Sequence, residues 1–105
     1  MFENLFLSKS LASLVKAKGY DNASEVQQAV IPQVFKGQDV LAVAPTGTGK
    51  TASYGLPLID KLSVGRSTAP LPKGLVMVPT RELAQQVLDS LTLYAKAHSP
   101  QLRVV

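Results

Sequence analysis

Apolar residues recur at helical spacing in four segments of the chain. Leucine and valine at positions 7, 11, 14 and 15 share one face and predict a helix over residues 8–18, which Ser8 can cap. A second helix is predicted over 24–36, with a kink or a division at Pro32. Two further patterns predict helices from residue 50 to about 62 and from 81 to about 97. In the first of these, Pro57 predicts a kink or an early stop.

Three shorter apolar runs have the character of strands that are covered on both faces. They occupy residues 39–44, 75–78 and 102–105, and they alternate with the predicted helices. Strand, helix, strand, helix, strand is the pattern of an α/β fold with a parallel sheet, so the sequence predicts a three-stranded parallel sheet with flanking helices. The intervening residues 63–74 contain two glycines and two prolines and predict a loop.

The chain ends within the third predicted strand, which predicts an incomplete sheet with open edges. Open strand edges can pair with a second chain. The sequence therefore predicts a strand-paired or domain-swapped homodimer, or a marginally stable monomer.

Composition and charge restrict the classes of function. The absence of cysteine excludes disulfides and thiolate metal sites. The single histidine, His98, is insufficient for a zinc site and is interpreted as a favourable charge near the end of the last helix. A net charge of +4 gives weak support for a polyanionic partner because the lysines are scattered. No apolar run reaches the roughly 18 residues of a membrane span, and a soluble, cytoplasmic protein is expected.

The octet APTGTGKT at 44–51 follows the first predicted strand and opens a helix, which is the context of a phosphate-binding loop. Gly47 and Gly49 allow a tight turn that brings backbone N–H groups close to an anion. Lys50 supplies a mobile positive charge for the outer phosphates, and the Thr51 hydroxyl can ligate Mg²⁺. An ordinary glycine-rich turn is the competing interpretation, which the spacing and the flanking elements disfavour.

Three ordered segments resemble motifs of the DEAD-box RNA helicase family. The octet is similar to motif I of that family, in which alanine takes the first place. GYDNASEVQ at 19–27 resembles the Q motif, although Ala23 stands where the family usually has proline. PTRELAQQ at 79–86 matches motif Ia, and an isolated aromatic, Phe2, stands seventeen positions before Gly19, where the family keeps one. The resemblance covers essentially the whole chain.

This resemblance implies a truncated RecA-like fold, with a Q-motif helical region at 1–38 and the first part of a RecA-like ATP-binding domain at 39–105. It also implies an ATP-dependent RNA helicase that couples ATP hydrolysis to local unwinding of RNA duplexes, with ATP and Mg²⁺ as cofactors and RNA as partner. Lys50 and Thr51 are the expected catalytic residues, and Thr51 is the expected Mg²⁺ ligand. The nucleotide-binding residues it implies are Phe2, Tyr20, Gln27, Thr46, Gly47, Thr48, Gly49, Lys50 and Thr51. The RNA-binding residues it implies are Pro79, Thr80, Arg81 and Glu82.

Several of these residues have a second interpretation. The Gln27 amide offers a donor and an acceptor that fit the N6 amine and N7 of adenine, but Gln27 also completes a capping box with Ser24. Tyr20 lies against the base or belongs to the core, and Phe2 packs near the nucleotide or anchors a helix. Thr80 begins a helix, so it either presents N–H groups to an RNA phosphate or acts only as a cap.

The chain contains no Asp-Glu-Ala-Asp sequence, which in this family holds Mg²⁺ and positions the attacking water. Phosphoryl transfer depends on such charges acting together, so the chain alone is expected to bind nucleotide weakly without hydrolysing ATP. Two alternatives stay open. One is another superfamily 2 helicase or a P-loop ATPase that acts on DNA, and the other is a non-catalytic nucleotide-binding fragment.

Overall fold

A computed structural model describes residues 5–63 and 72–105 of the chain. Those residues form four α-helices, and each of them confirms a helix predicted from the sequence. The helices are α1 (Lys9–Ala17), α2 (Glu25–Phe35), α3 (Lys50–Ser63) and α4 (Arg81–Ala95). Phe2 and most of the loop predicted at 63–74 lie outside the described residues.

Hydroxyl side chains and glycines define most of the helix ends. Ser8, Ser24 and Thr80 each accept a hydrogen bond from the backbone N–H three residues ahead, and they cap α1, α2 and α4. Gly19 and Gly37, with φ of +92° and +78°, follow α1 and α2. A left-handed conformation costs glycine nothing and ends a helix, so these boundaries are set locally.

Pro32 and Pro57 lie inside α2 and α3, and neither helix ends or divides there. Of the two outcomes expected at each proline, the division at Pro32 and the early stop at Pro57 are excluded, and a kink at either position stays a prediction. A proline removes one hydrogen bond within a helix and crowds the preceding turn, which favours a break. Both helices instead bury apolar side chains against each other along their length, and Pro57 is itself fully buried.

The predicted parallel sheet is the main correction to the fold. Within the described residues the segments 39–44, 75–78 and 102–105 contain no strand, so the expected three-stranded α/β sheet is wrong. Val76 and Val78 pack against the helical core, whereas Leu75 and Met77 are 83% and 85% exposed. An apolar run indicates a preference for burial. A strand also needs a neighbouring strand whose backbone can form hydrogen bonds with it. Here Val76 and Val78 are half-buried against the helical core, without a strand ladder.

The helix that follows the phosphate loop, α3, is the centre of the packing, because α2 and α4 both pack against it. Tyr94 of α4 contacts both apolar clusters of the core. Gly55 allows α4 to approach α3 closely, since a Cβ there would lie 2.9 Å from a Leu91 methyl group. No helix in the described parts of the chain has the length and apolar character needed to cross a membrane. The cluster between α1, α2 and α3 contains Leu5, Leu7, Leu11, Val15, Ala23, Ile31 and Leu56, and the cluster between α3 and α4 contains Ile59, Val87, Leu91 and Ala95.

Candidate functional site

The loop before α3 has the geometry of an anion cradle. Gly47 and Gly49 have φ of +86° and +83°, a conformation that favours glycine, and a Cβ at Gly47 would meet nothing within 4 Å. The Thr48 hydroxyl donates to the carbonyl oxygen of Pro45 at 2.7 Å and closes the turn. Since α3 begins at Lys50, its first N–H groups have no partner inside the helix and carry the positive end of the helix dipole.

Gln27 joins the second helix to this loop. Its Oε1 accepts from the Ser24 backbone N–H at 2.9 Å, and the Ser24 hydroxyl accepts from the Gln27 N–H, which confirms the capping box. Its Nε2 also donates to the carbonyl oxygen of Gly49 at 3.2 Å. The same carbonyl accepts from the Ser53 N–H at 3.2 Å, in the first turn of α3. The adenine contact expected of Gln27 stays a prediction.

A cavity of about 330 Å³ lies beside the loop and collects most of the predicted nucleotide residues. This volume falls at the lower end of the roughly 300–1,000 Å³ range of small-molecule sites. Tyr20 is 60% exposed and is therefore not a core residue. Thr48 does not line the cavity, although its neighbours on both sides do. The predicted residues in the lining are Tyr20, Gln27, Thr46, Gly47, Gly49, Lys50 and Thr51.

The far wall of the cavity comes from α1 and α4 and was missed by the sequence analysis. Leu14 and Lys18 contribute from α1 and its cap, and Gln86 and Tyr94 contribute from α4. Burial raises the pKa of Tyr94 above its ordinary value of 10.0, and the neighbouring Tyr20 adds to the rise. The helical pattern placed Tyr94 on an apolar face, but only the packing of α4 against α3 brings that face to the phosphate loop.

The four residues expected to contact RNA lie together, outside the cavity, at the start of α4. Pro79, Thr80, Arg81 and Glu82 are all exposed. The Thr80 hydroxyl accepts from the Leu83 N–H at 3.1 Å, so it acts as the helix cap. Among the described residues, no group of three or more histidine, cysteine or acidic side chains is arranged to hold a metal ion. Thr51, the one predicted metal ligand, is half-buried and lines the cavity.

A second polar cluster lies away from the cavity and was also missed. Asp60 is buried on α3 and accepts from the Ser8 N–H at 2.7 Å, from the Ser8 hydroxyl at 2.8 Å and from His98 Nε2 at 2.7 Å. His98 is therefore a hydrogen-bond partner of Asp60, a role that the sequence analysis did not predict. Asp60 follows Leu56 by four positions on the apolar face of α3, and a lone acid at such a position is a signal of a paired carboxylate. Ser8, Asp60 and His98 are called the Asp60 hub below.

Comparison with known proteins agrees with the motifs. A family model described as DEAD/DEAH box helicase matches residues 24–105. The DEAD-box ATP-dependent RNA helicase CshA of Bacillus cereus is 43% identical over 90 residues, which are 86% of this chain and 17% of that protein. The ATP-dependent RNA helicase DeaD of Mycobacterium tuberculosis is 38% identical over 104 residues, 99% of this chain and 18% of its own length. The chain thus spans about a fifth of the length of such relatives.

A solved structure is similar to the fold as well as to the sequence. It is the RNA helicase Prp28 from Chaetomium thermophilum, in a crystal structure with bound ADP. The two superpose with a TM-score of 0.84 at 36% sequence identity, over 90% of this chain and 24% of that one. The arrangement of helices described above is therefore shared with a nucleotide-bound protein.

Proposed function

Because the chain belongs to the DEAD/DEAH box helicase family, we propose that it forms the nucleotide-phosphate site of an ATP-dependent RNA helicase and binds ATP or ADP. The observation that carries the proposal is the open glycine loop at the start of α3, which shares one cavity with Tyr20, Gln27 and Lys50. A triphosphate needs several N–H donors and a cation in one place, and this loop offers both.

The chemistry of phosphate binding follows from the loop. The backbone around Gly47 and Gly49 and the start of α3 donate hydrogen bonds to the inner phosphates, and Lys50 neutralises the outer ones. Thr51 is the residue of this chain that would hold Mg²⁺, an ion that takes oxygen ligands and needs few of them from the protein. When bound, Mg²⁺ neutralises charge on the phosphates.

Adenine recognition by Gln27 is compatible with its two structural bonds. A side-chain amide has two N–H donors and two acceptor lone pairs. The bond to Gly49 uses one N–H, and the capping box uses one lone pair of Oε1. One donor and one acceptor remain, which is the pair that adenine N7 and its N6 amine require. Tyr20, exposed at the cavity, is proposed to lie against the base.

RNA contact is assigned to the start of α4. The free N–H groups beyond the Thr80 cap suit a phosphate, and the exposed Arg81 adds a forked, charge-assisted contact. Such contacts to the RNA backbone give affinity without a choice of sequence. A P-loop ATPase that acts on DNA is the competing assignment, and comparing single-stranded RNA with DNA of the same sequence distinguishes the two.

Catalysis by this chain alone is not expected. The sequence contains no Asp-Glu-Ala-Asp segment to position water and metal, and phosphoryl transfer requires those charges beside the P-loop lysine. The non-catalytic nucleotide-binding interpretation therefore applies to this chain alone, whereas the longer relatives are named as ATP-dependent helicases. Phosphate release that depends on Lys50 would contradict this assignment.

Self-association is a further part of the proposal. Leu41, Val43, Leu75 and Met77 are each more than four-fifths exposed, and apolar side chains in this number favour burial against a second copy. Sedimentation velocity is the direct measurement, with the double variant Leu75→Ser/Met77→Ser as the comparison. A compact monomer at high concentration would contradict the predicted homodimer.

The experiment for nucleotide binding is a titration with fluorescent ADP, followed by displacement with unlabelled ADP or GDP. We expect ADP to displace better than GDP and Lys50→Ala to weaken binding at least about tenfold, because a charge-assisted phosphate contact is worth roughly 1.5–3 kcal/mol. Lys16→Ala is the matched control, since Lys16 is exposed on α1 and lies outside the cavity. Equal loss in both variants, or no binding by the unaltered chain, would reject the proposal.

A further inference from the structure

The Asp60 hub connects three parts of the chain that are distant in sequence. Asp60 lies on α3, Ser8 caps the start of α1, and His98 follows α4. The carboxylate accepts three hydrogen bonds at 2.7 to 2.8 Å, which join positions 52 and 38 residues apart. The Ser8 hydroxyl donates to Asp60 and accepts from the Leu11 N–H, so the same hydroxyl joins the hub and caps α1.

These three residues do not form a catalytic triad, despite their chemical types. In a triad the serine hydroxyl bonds to the histidine, which removes its proton. Here both Ser8 and His98 bond to Asp60 and not to each other. The hub is therefore a structural connection between elements.

The elements that the hub connects are the walls of the phosphate-loop cavity. The far end of α1 contributes Leu14 and Lys18 to the cavity, and α4 contributes Gln86 and Tyr94. The backbone of α1 approaches α3 and α4 at few points. The apolar side chains of α1 pack in the core, and the short, charge-assisted hydrogen bonds of the hub add directional contacts that fix the position of α1 along and around its axis.

We propose that Asp60 is a positioning residue of the nucleotide site, which holds α1 and α4 against α3 so that the cavity keeps the width a nucleotide needs. This inference rests on the proposed nucleotide-binding function. Asp60 touches no ligand in this role, and it acts through Ser8 and His98.

The test measures ADP affinity of the full chain in hub variants, at a temperature at which circular dichroism shows each variant to be fully folded. Asp60→Asn retains the size of the side chain but presents N–H donors where an acceptor is needed. His98→Ala removes one bond, and His98→Gln restores a donor in its place. Asp89→Asn is the matched control, because Asp89 is exposed on α4 and bonds only to Gln85 among the described residues.

We expect Asp60→Asn and His98→Ala to raise the Kd for ADP about tenfold, the effect of one displaced polar contact. His98→Gln should recover most of the affinity, and Asp89→Asn should match the unaltered chain. A purely structural role would lower the melting temperature of the hub variants and leave the Kd of the folded protein unchanged, and that result would overturn the inference.

Failure of the inference and failure of the proposed function give different results. If the unaltered chain shows no Lys50-dependent binding of ADP, the proposed function fails and the inference fails with it. If binding depends on Lys50 but is insensitive to the hub, only the inference fails. If Asp60→Asn does not fold, the milder pair His98→Ala and His98→Gln decides, because His98 is at the protein surface with 21% of its side chain exposed.

Discussion

The side-chain nitrogen of Gln27 lies 3.2 Å from the carbonyl oxygen of Gly49, so one amide both caps α2 and holds the phosphate loop. The bond spans 22 positions in the sequence and fixes the loop relative to the second helix. A substitution of either residue is therefore expected to lower both the stability of α2 and the affinity for phosphate.

Replacement of Gln27 by alanine tests this double role. The variant leaves the Ser24 N–H without its partner and removes one of the two donors to the Gly49 carbonyl. We expect the free energy of unfolding to fall by about 1–2 kcal/mol and the preference for ADP over GDP to disappear. Chemical denaturation and nucleotide displacement are the measurements. The control is Gln28→Ala, an exposed neighbour whose amide bonds to Ala23 and not to the loop, and equal effects in the two variants would contradict the prediction.

Gly49→Ala should lower the free energy of unfolding more than Gly47→Ala does, although both glycines have positive φ. Each substitution adds strain of about 1–2 kcal/mol from a left-handed backbone. At Gly49 the new Cβ would also overlap the Gln27 amide nitrogen, whereas at Gly47 it would enter open space. The free energy of unfolding of the single variants and of Gln27→Ala/Gly49→Ala measures the coupling. We expect Gly49→Ala to lower the free energy of unfolding by less when Gln27 is already alanine. If the effects of the two single variants simply add in the double variant, a direct contact between the two positions is excluded.

Phe6 is a large, 65% exposed residue with φ of +71°, and its substitution should stabilise the protein. A left-handed conformation costs a residue with a Cβ about 1–2 kcal/mol, and glycine relieves that cost while losing about 0.5–1 kcal/mol through its freedom in the unfolded chain. We expect Phe6→Gly to raise the free energy of unfolding by up to about 1 kcal/mol. Phe6→Ala removes the same ring but keeps the Cβ. If the free energy of unfolding rises equally in that variant, loss of the ring and not relief of backbone strain is the cause.

The phenol of Tyr94 provides a pH test of the cavity wall. Burial raises its pKa above 10.0, with a further rise from Tyr20 and Tyr54 and an opposing hydrogen bond to Ser90. Because the folded state holds the proton more tightly than the unfolded chain, this contribution to stability is fully present below pH 10.0 and is lost as the pH rises through the folded pKa. We expect the free energy of unfolding to fall more steeply as the pH rises above 10.0 in the unaltered chain than in Tyr94→Phe. Parallel slopes would show that Tyr94 is not the group responsible.

Features encoded by neighbouring residues were predictable from the sequence. Ser24 and Gly37 define the two ends of α2, through hydrogen bonds and dihedral angles that involve only adjacent turns. The loop around Gly47 and Gly49 belongs to the same class, because its conformation and the start of α3 are set within one short segment. The turn at these glycines and the start of α3 could therefore be predicted before any tertiary contact was known.

Features that depend on distant pairing were not predictable in the same way. The apolar run at 75–78 indicated burial on both faces, but only Val76 and Val78 pack against the helical core, each half-buried and without a strand ladder. Asp60 and His98 are 38 positions apart, and nothing local to either residue identifies the other as its partner. The wall that α4 contributes to the cavity follows equally from packing between helices and not from the helical pattern itself.

The long sequence separations within the Asp60 hub have a kinetic consequence. Its bonds close chain segments of 52 and 38 residues, and contacts of this kind are entropically costly to form early. The capped helices can form first from local interactions, so the hub is expected to assemble after the folding transition state. Substitutions in the hub should then accelerate unfolding while leaving the refolding rate nearly unchanged, which makes Asp60 a determinant of how long the native protein persists.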